Sequence, residues 1–264
     1  MINIPRLQVI TVWKESWVDA YRWALLWNGI RDEDIDIHLS PYSARRSPQL
    51  IINDILDHNE DNRVSGIIGL TPTPDTHYKA KVFDQIDPRK DVDCQTRHNF
   101  HAFLDGDETV PFAPATAEAV LKIIEQQGIE NINIAILGKG AAVWLPLAEL
   151  CNRKKIPYTI IQSWAKKNPN WENDLRDSKA NVVVWAWRDG HTVNQNNIPS
   201  KLKYGVDVTY ADVTMDNWDI QTVGSFSPCM KDIIPGYAWN SDVGRVTTKT
   251  LIEHVKKAHQ LMNV

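Results

Sequence analysis

Apolar residues along the chain fall into short runs separated by amphipathic stretches. Residues 7–12 (LQVITV) are rich in β-formers and read as a buried strand. Residues 13–28 read as a helix closed by Gly29 at its C-cap. Residues 35–39 alternate like a strand, and residues 47–59 begin with Ser47 as N-cap and Pro48 at the first helical position. Residues 66–70 form another apolar strand, stopped by the Thr-Pro-Thr-Pro run at 71–74. This β-α-β-α-β order predicts right-handed crossovers and a parallel sheet.

The second half repeats the logic. Residues 116–127 (TAEAVLKIIEQQ) predict an amphipathic helix with Thr116 as N-cap and Gly128 at its end. A strand at 133–137 runs into Gly138-Lys139-Gly140 and then a helix through Cys151. Further strands are predicted at 158–162, 181–185 and 206–208. Strand, glycine turn, helix and strand make a Rossmann-like unit. A last helix over 247–262 has no strand after it and must dock elsewhere. The fold class is therefore α/β, with two α/β layers and a cleft between them.

Composition narrows the function. The 264 residues are 43% apolar and 23% charged, with a formal charge of -4. Without a basic excess, a small-molecule site is expected rather than a nucleic-acid or membrane partner. Cys94, Cys151 and Cys229 have no paired spacing, and residues 1–14 lack a signal-peptide pattern. A reduced, cytoplasmic protein is expected. Eleven Trp against five Phe is an unusual ratio.

Three constellations carry candidate chemistry. The turn from Gly138 to Trp144 could bring a phosphate to a helix N-terminus, or be a plain strand-to-helix turn. His98 and His101 are three apart without a third ligand nearby, so a structural or surface role is expected and no metal. Asp87, Asp91 and Asp93 form an acidic cluster that is either a solvated loop or a carboxylate grip for an amide-rich heterocycle.

The segment Ile86-Asp87-Pro88-Arg89-Lys90-Asp91-Val92-Asp93 resembles the Asp-Pro-x-Lys-Asp-Val-Asp-Gly signature of the methylenetetrahydrofolate dehydrogenase/cyclohydrolase family. Asn99 falls on the Asn that follows that signature. Phe112-Ala113-Pro114-Ala115-Thr116 is similar to its Phe-x-Pro-x-Thr-Pro segment, and the stretch from Gly138 to Pro146 to its Gly-Arg-Ser-x-x-Val-Gly-x-Pro turn. Residues 65–74 resemble its Gly-Ile-x-x-Gln-Leu-Pro-Leu-Pro strand and loop. The resemblance implies a three-layer α/β folate-type domain over 1–113, completed by the helix at 247–264. It also implies a Rossmann-like NAD(P)-type domain over 114–246, a homodimer, and tetrahydrofolate as the substrate carrier.

Departures from the family pattern cluster at its functional positions. Trp17 falls on the aromatic that stacks on folate and keeps a π surface. Tyr21 falls on the catalytic Lys and supplies no ammonium charge. Leu70 falls on the supporting Gln and has no hydrogen-bonding group. Asp93, which in the family holds the pterin's amide edge, is retained. Trp144 and Arg188 fall on cofactor-side glycines, and Ser241-Asp242-Val243-Gly244-Arg245-Val246-Thr247 replaces a Gly-Gly-Val-Gly-Pro-Met-Thr loop. Each Gly-to-large change among these is expected to fill space that a ribose or nicotinamide would need.

The catalytic positions are thus Tyr21 and Asp93, with Trp17, Leu70, Asp93, Val243 and Gly244 facing substrate. Gly138, Lys139, Gly140, Ser163, Lys166 and Arg188 face the cofactor, NADP or NAD; Ser163, Lys166 and Lys167 could meet a 2′-phosphate or be surface residues. Three readings remain open. One is oxidation of 5,10-methylenetetrahydrofolate with the cyclohydrolase groups lost. The second is a repurposed biosynthetic enzyme acting on a folate adduct or other planar heterocycle without nicotinamide. The third is a non-catalytic binding protein.

Overall fold

A computed structural model describes residues 4–13, 35–43, 46–70, 76–138, 143–162, 168–186, 193–214, 220–224, 226, 230 and 232–263. The chain divides into two compact units, one of residues 1–115 with 248–264, the other of residues 116–247.

In the first unit, β1 (Arg6–Trp13) lies between β2 (Asp36–Ser43) and β3 (Val64–Leu70), all parallel. Pro41 can sit in β2 because that strand is an edge. Alternation along β1 divides the core between two faces. Leu7 and Val9 join Ile68, Phe112 and the C-terminal helix residues Leu251, Ile252 and Val255. Ile10 and Val12 face Ile51, Ile52 and Ile55 of α1 (Pro48–Glu60), with Val82 and Phe83 of α2 (Thr76–Phe83). Ser47 caps α1, its hydroxyl accepting from Gln49 N, and Pro48 occupies the first turn. A short helix, α3 (Arg97–Leu104), follows the signature segment.

The helix α4 (Ala115–Glu125) begins on the last residue of the first unit's N-terminal segment, and from Thr116 onward it belongs to the second unit. Its strands β4 (Ile134–Gly138), β5 (Tyr158–Ile161), β6 (Val182–Ala186), β7 (Tyr204–Asp207) and β10 (Gly236–Ala238) form a parallel sheet ordered β10-β7-β6-β4-β5. The helices α5 (Trp144–Lys154) and α6 (Trp171–Arg176) belong to this unit, as does an antiparallel pair, β8 (Tyr210–Thr214) and β9 (Ile220–Gly224). Ile134 and Ile136 pack on one face of the sheet, and Ala135 and Leu137 on the other. The chain ends in α7 (Asn240–Met262).

Three sequence expectations need correction. Thr116 is not an N-cap: α4 starts at Ala115, whose N–H is taken by the Asp93 carboxylate. The last helix starts at Asn240 rather than residue 247, so the segment from Ser241 to Thr247 is helical and not a loop. Asp242 secures that start by accepting the Trp239 N–H. The short elements α2, α3, α6, β8, β9 and β10 have no counterpart in the apolar pattern. The helix expected over 13–28 lies outside the described residues beyond the β1 terminus.

The Trp excess is partly core. Trp185 is fully buried, and its ring meets Trp171 edge-on at 5.6 Å. Cys94 and Cys151 are buried, and burial pushes the Cys151 thiol up to about 12, as expected of an unreactive core thiol.

Candidate functional site

The acidic segment 87–99 is a densely paired loop. Asp87 accepts from Arg89 and from the Arg89 N–H, and these bonds hold its carboxyl below the usual carboxylate range. Lys90 is buried, with Nζ donating to the carbonyls of His58, Asn59 and Asp61 at 3.0, 2.7 and 2.9 Å. It thereby closes the C-terminus of α1, where orphan carbonyls and the helix dipole both favour a cation. Burial lowers the Lys90 pKa from its ordinary value.

Asp91 is completely buried and accepts four hydrogen bonds, from Gln95 N, Thr96 N, Thr96 Oγ1 and Asn99 Nδ2. Burial still raises its pKa against those donors. Thr96 in turn caps α3, so the carboxylate anchors the loop to the helix. Thus Lys90, Asp91 and Asn99, all resemblance positions, hold the backbone in place.

Asp93 lies between this network and α4. Its Oδ1 accepts the Ala115 N–H at 2.9 Å. The next residue, Cys94, replaces the signature's glycine and keeps a left-handed backbone with φ 51°. On the other side, His254 of α7 donates through Nδ1 to Val92 O at 2.8 Å, with its ring 5.0 Å from that of Phe112.

The loop is also joined to β3. Ile67 N donates to Lys90 O, and Ile67 bridges Asp91 in parallel register. Gln95 reaches the strand end, accepting from Gly69 N at 2.8 Å and donating to Gly69 O at 2.9 Å. Gly69 must lack a Cβ, which would stand 2.3 Å from the Phe83 ring. Leu70 follows at the strand's end and packs against the cluster of Leu7, Val9 and Ile68. Asp93 and Leu70 therefore sit on elements stitched to each other. Gln95 was missed by sequence reasoning because its partner is a backbone 26 residues away.

In the second unit, Gly138 has φ 150°, and an added Cβ would approach Ala186 O to 2.9 Å. Close approach of two strand ends therefore explains that glycine. Trp144 opens α5 and packs against the core, its Nε1 buried without a partner among the described residues. Val143 precedes it and provides no side-chain cap. Val243 is buried in the first turn of α7, and a Cβ at Gly244 would meet nothing within 4 Å. Arg245 is exposed and paired with Asp242 at 3.0 Å. Trp17, Tyr21, Lys139, Gly140, Ser163, Lys166, Lys167 and Arg188 lie outside the described residues.

A cavity of about 780 Å³ lies elsewhere in the first unit, lined by Asn59, Lys90, Asn99 and Thr109 among others. Much of its polar lining is already spent: Asn59 on Gln85 and Asp87, Lys90 on α1, Thr109 on Asp107. It lies apart from Leu70 and Asp93, neither of which lines it. Among the described residues no group of three His, Cys, Asp or Glu could hold a metal ion, and no helix is long and apolar enough to cross a membrane.

Similarity to known proteins bears on this geometry. No protein-family model matches the chain. The bifunctional protein FolD of Thermosipho africanus is 31% identical over 210 residues, covering 78% of this chain and 72% of that protein. The crystal structure of the bifunctional 5,10-methylenetetrahydrofolate dehydrogenase/cyclohydrolase from Thermoplasma acidophilum superposes with a TM-score of 0.81 at 20% identity, covering 98% and 90% of the two chains. The Trypanosoma brucei enzyme, complexed with NADP cofactor and inhibitor, gives 0.81 at 20% identity over 97% and 87%. With this likeness running through the signature loop and both units, the chain belongs to the FolD family.

Proposed function

We propose that this protein is a folate one-carbon enzyme that oxidises 5,10-methylenetetrahydrofolate with NAD(P) and has lost cyclohydrolase activity. The first unit is its folate-type domain and the second its NAD(P)-type domain. The observation that carries this reading is the contrast between Asp93, retained and fixed against the start of α4, and Leu70, an apolar side chain packed on the core. A carboxylate suits the planar donor edge of a pterin. A leucine can neither accept nor donate the protons that hydrolysis of the methenyl product requires.

The residues present suit a dinucleotide. Val143 leaves the first N–H groups of α5 without a side-chain cap, and a helix N-terminus favours phosphate. Gly244 leaves room beside α7. The backbone N–H groups of Trp144 and Leu145 at the start of α5 would hold a phosphate, since Pro146 has no N–H and that of Leu147 donates to Val143 O, and the nicotinamide would supply the hydride acceptor. The chain's own part is positioning: Asp93 orients the pterin, and alignment of the two rings supplies most of what hydride transfer needs. In the family pattern Trp17 falls on the aromatic that stacks on folate and Tyr21 on the catalytic Lys, so the sequence keeps a π surface and loses an ammonium. The protein works as a cytoplasmic homodimer on a folate-like small molecule.

One observation favours use of a folate adduct without nicotinamide. Gly138 has its bare Cα covered by Ala186 rather than left open to a ligand. Two assays decide. Methylenetetrahydrofolate-dependent reduction of NADP or NAD supports the proposal, and its absence, with no calorimetric binding of either at millimolar concentration, overturns it. Methenyltetrahydrofolate hydrolysis should stay at the buffer rate, since a positioned proton-transfer group is worth about 10²–10⁴-fold. Hydrolysis above that rate contradicts the loss.

A further inference from the structure

We infer that Gln95 is a positioning residue for the folate pocket, holding the Asp93 loop in register with the end of β3; this rests on the folate reading above. Among the described residues, the sheet has no further full strand beyond β3: the order runs β2-β1-β3, and a bridge from Ile67 to Asp91 continues it. Two residues further along, Gly69 would have its N–H and C=O unpaired on that side. The Gln95 amide takes both, at 2.8 and 2.9 Å, as a neighbouring strand would. A primary amide fits because it carries one acceptor and one donor side by side, matching the two groups of a single residue.

The same residue is fixed at its own backbone, where Gln95 N donates to the buried Asp91 carboxylate at 2.8 Å. One residue thus links three things, the buried carboxylate through its backbone N–H, the strand end preceding Leu70 through its side chain, and the loop carrying Asp93. Asp93 stands two residues before Gln95, and Leu70 one residue after Gly69. Loss of the clamp leaves the fold's cores intact, since Gln95 belongs to none of the buried apolar clusters. It frees the strand end and the loop to move separately, which relaxes the spacing between the pterin anchor and the pocket wall. Small displacements of this kind are costly to a site that depends on alignment.

The test compares wild type with Gln95→Met, which keeps length and removes both hydrogen bonds, and Gln95→Glu. A protonated Glu carries the same acceptor–donor pair as the amide, whereas its carboxylate faces the Gly69 carbonyl with no donor. Asp91 and Asp93, the ionisable neighbours on the loop, are common to all three proteins. Binding of 5-formyltetrahydrofolate is followed by tryptophan quenching, and hydrogen exchange of the Gly69 amide is measured alongside. Gln95→Met should weaken binding about tenfold and speed Gly69 exchange about tenfold, in keeping with the loss of ordinary hydrogen bonds. Gln95→Glu should lie furthest from wild type at pH 8 and draw toward it, at matched pH, as the pH is lowered toward 5 and the share of protonated carboxyl grows. A purely space-filling role would give no such pH-dependent divergence. If wild type binds and Gln95→Met binds equally well, the positioning role is overturned while the folate reading stands. If wild type does not bind, the folate reading fails, and with it Gln95's role in a folate pocket; Gly69 exchange still reports whether the clamp itself exists.

Discussion

The loop at 87–99 and the start of α7 at 240–247 both fall on stretches of the family pattern, yet they have fared differently. In the first, Lys90, Asp91, Thr96 and Asn99 each make buried hydrogen bonds that hold backbone in place. In the second, glycines have become Ser241 and Asp242, and the polar groups meet at the surface, as in the Arg245–Asp242 pair. A motif embedded in a buried network resists change because each replacement leaves partners unsatisfied. A motif serving a ligand is free to change once the demand on that ligand changes. Resemblance in the loop therefore marks the fold as much as the chemistry, and within it Asp93 is the position that the proposed function assigns to substrate.

The largest effect should come from Asp91→Ala. It strands the Gln95 and Thr96 N–H groups, the Thr96 hydroxyl and the Asn99 amide in the interior. A loss of about 3–5 kcal/mol is expected, measured by urea unfolding. A loss below about 1 kcal/mol would break the contrast by making the loop as tolerant as α7.

How much of this was legible in sequence follows the same division. The strands at 7–12, 66–70 and 133–137 were readable because continuous apolar runs bounded by turn residues have few other interpretations. The helix of Ser47 and Pro48 was readable from its cap. The early start of α7 was not, because Ser241, Asp242 and Gly244 have weak helix propensity and the family pattern suggested a loop. The β8–β9 pair and α2, α3 and α6 are short and carry little periodic signal. At the site, Asp93 and Leu70 came from alignment to a motif. Lys90's three carbonyls and Gln95's grip on Gly69 exist only after folding brings residues about 26–32 positions apart together.

At the small end, Arg245→Ala should change stability by under about 0.5 kcal/mol, because the pair is exposed and spaced i,i+3 on a helix surface. Thermal unfolding of the purified variant reads this directly. A loss above about 1.5 kcal/mol would show that the start of α7 is as tightly built as the signature loop, and would sharpen the comparison against the account.

Central to the account is that Asp93 anchors a folate while also bonding to the backbone of α4. Asp93→Asn separates the two, since an amide oxygen can still accept the Ala115 N–H but the bidentate carboxylate is gone. The decisive measurement is titration of wild type and Asp93→Asn with 5-formyltetrahydrofolate, followed by tryptophan fluorescence, with unfolding curves recorded for both. The account predicts saturable quenching in wild type, affinity about ten- to a hundredfold weaker in the variant, and stability within about 1 kcal/mol. Equal affinity in the two proteins, or no saturable quenching in wild type, would contradict it.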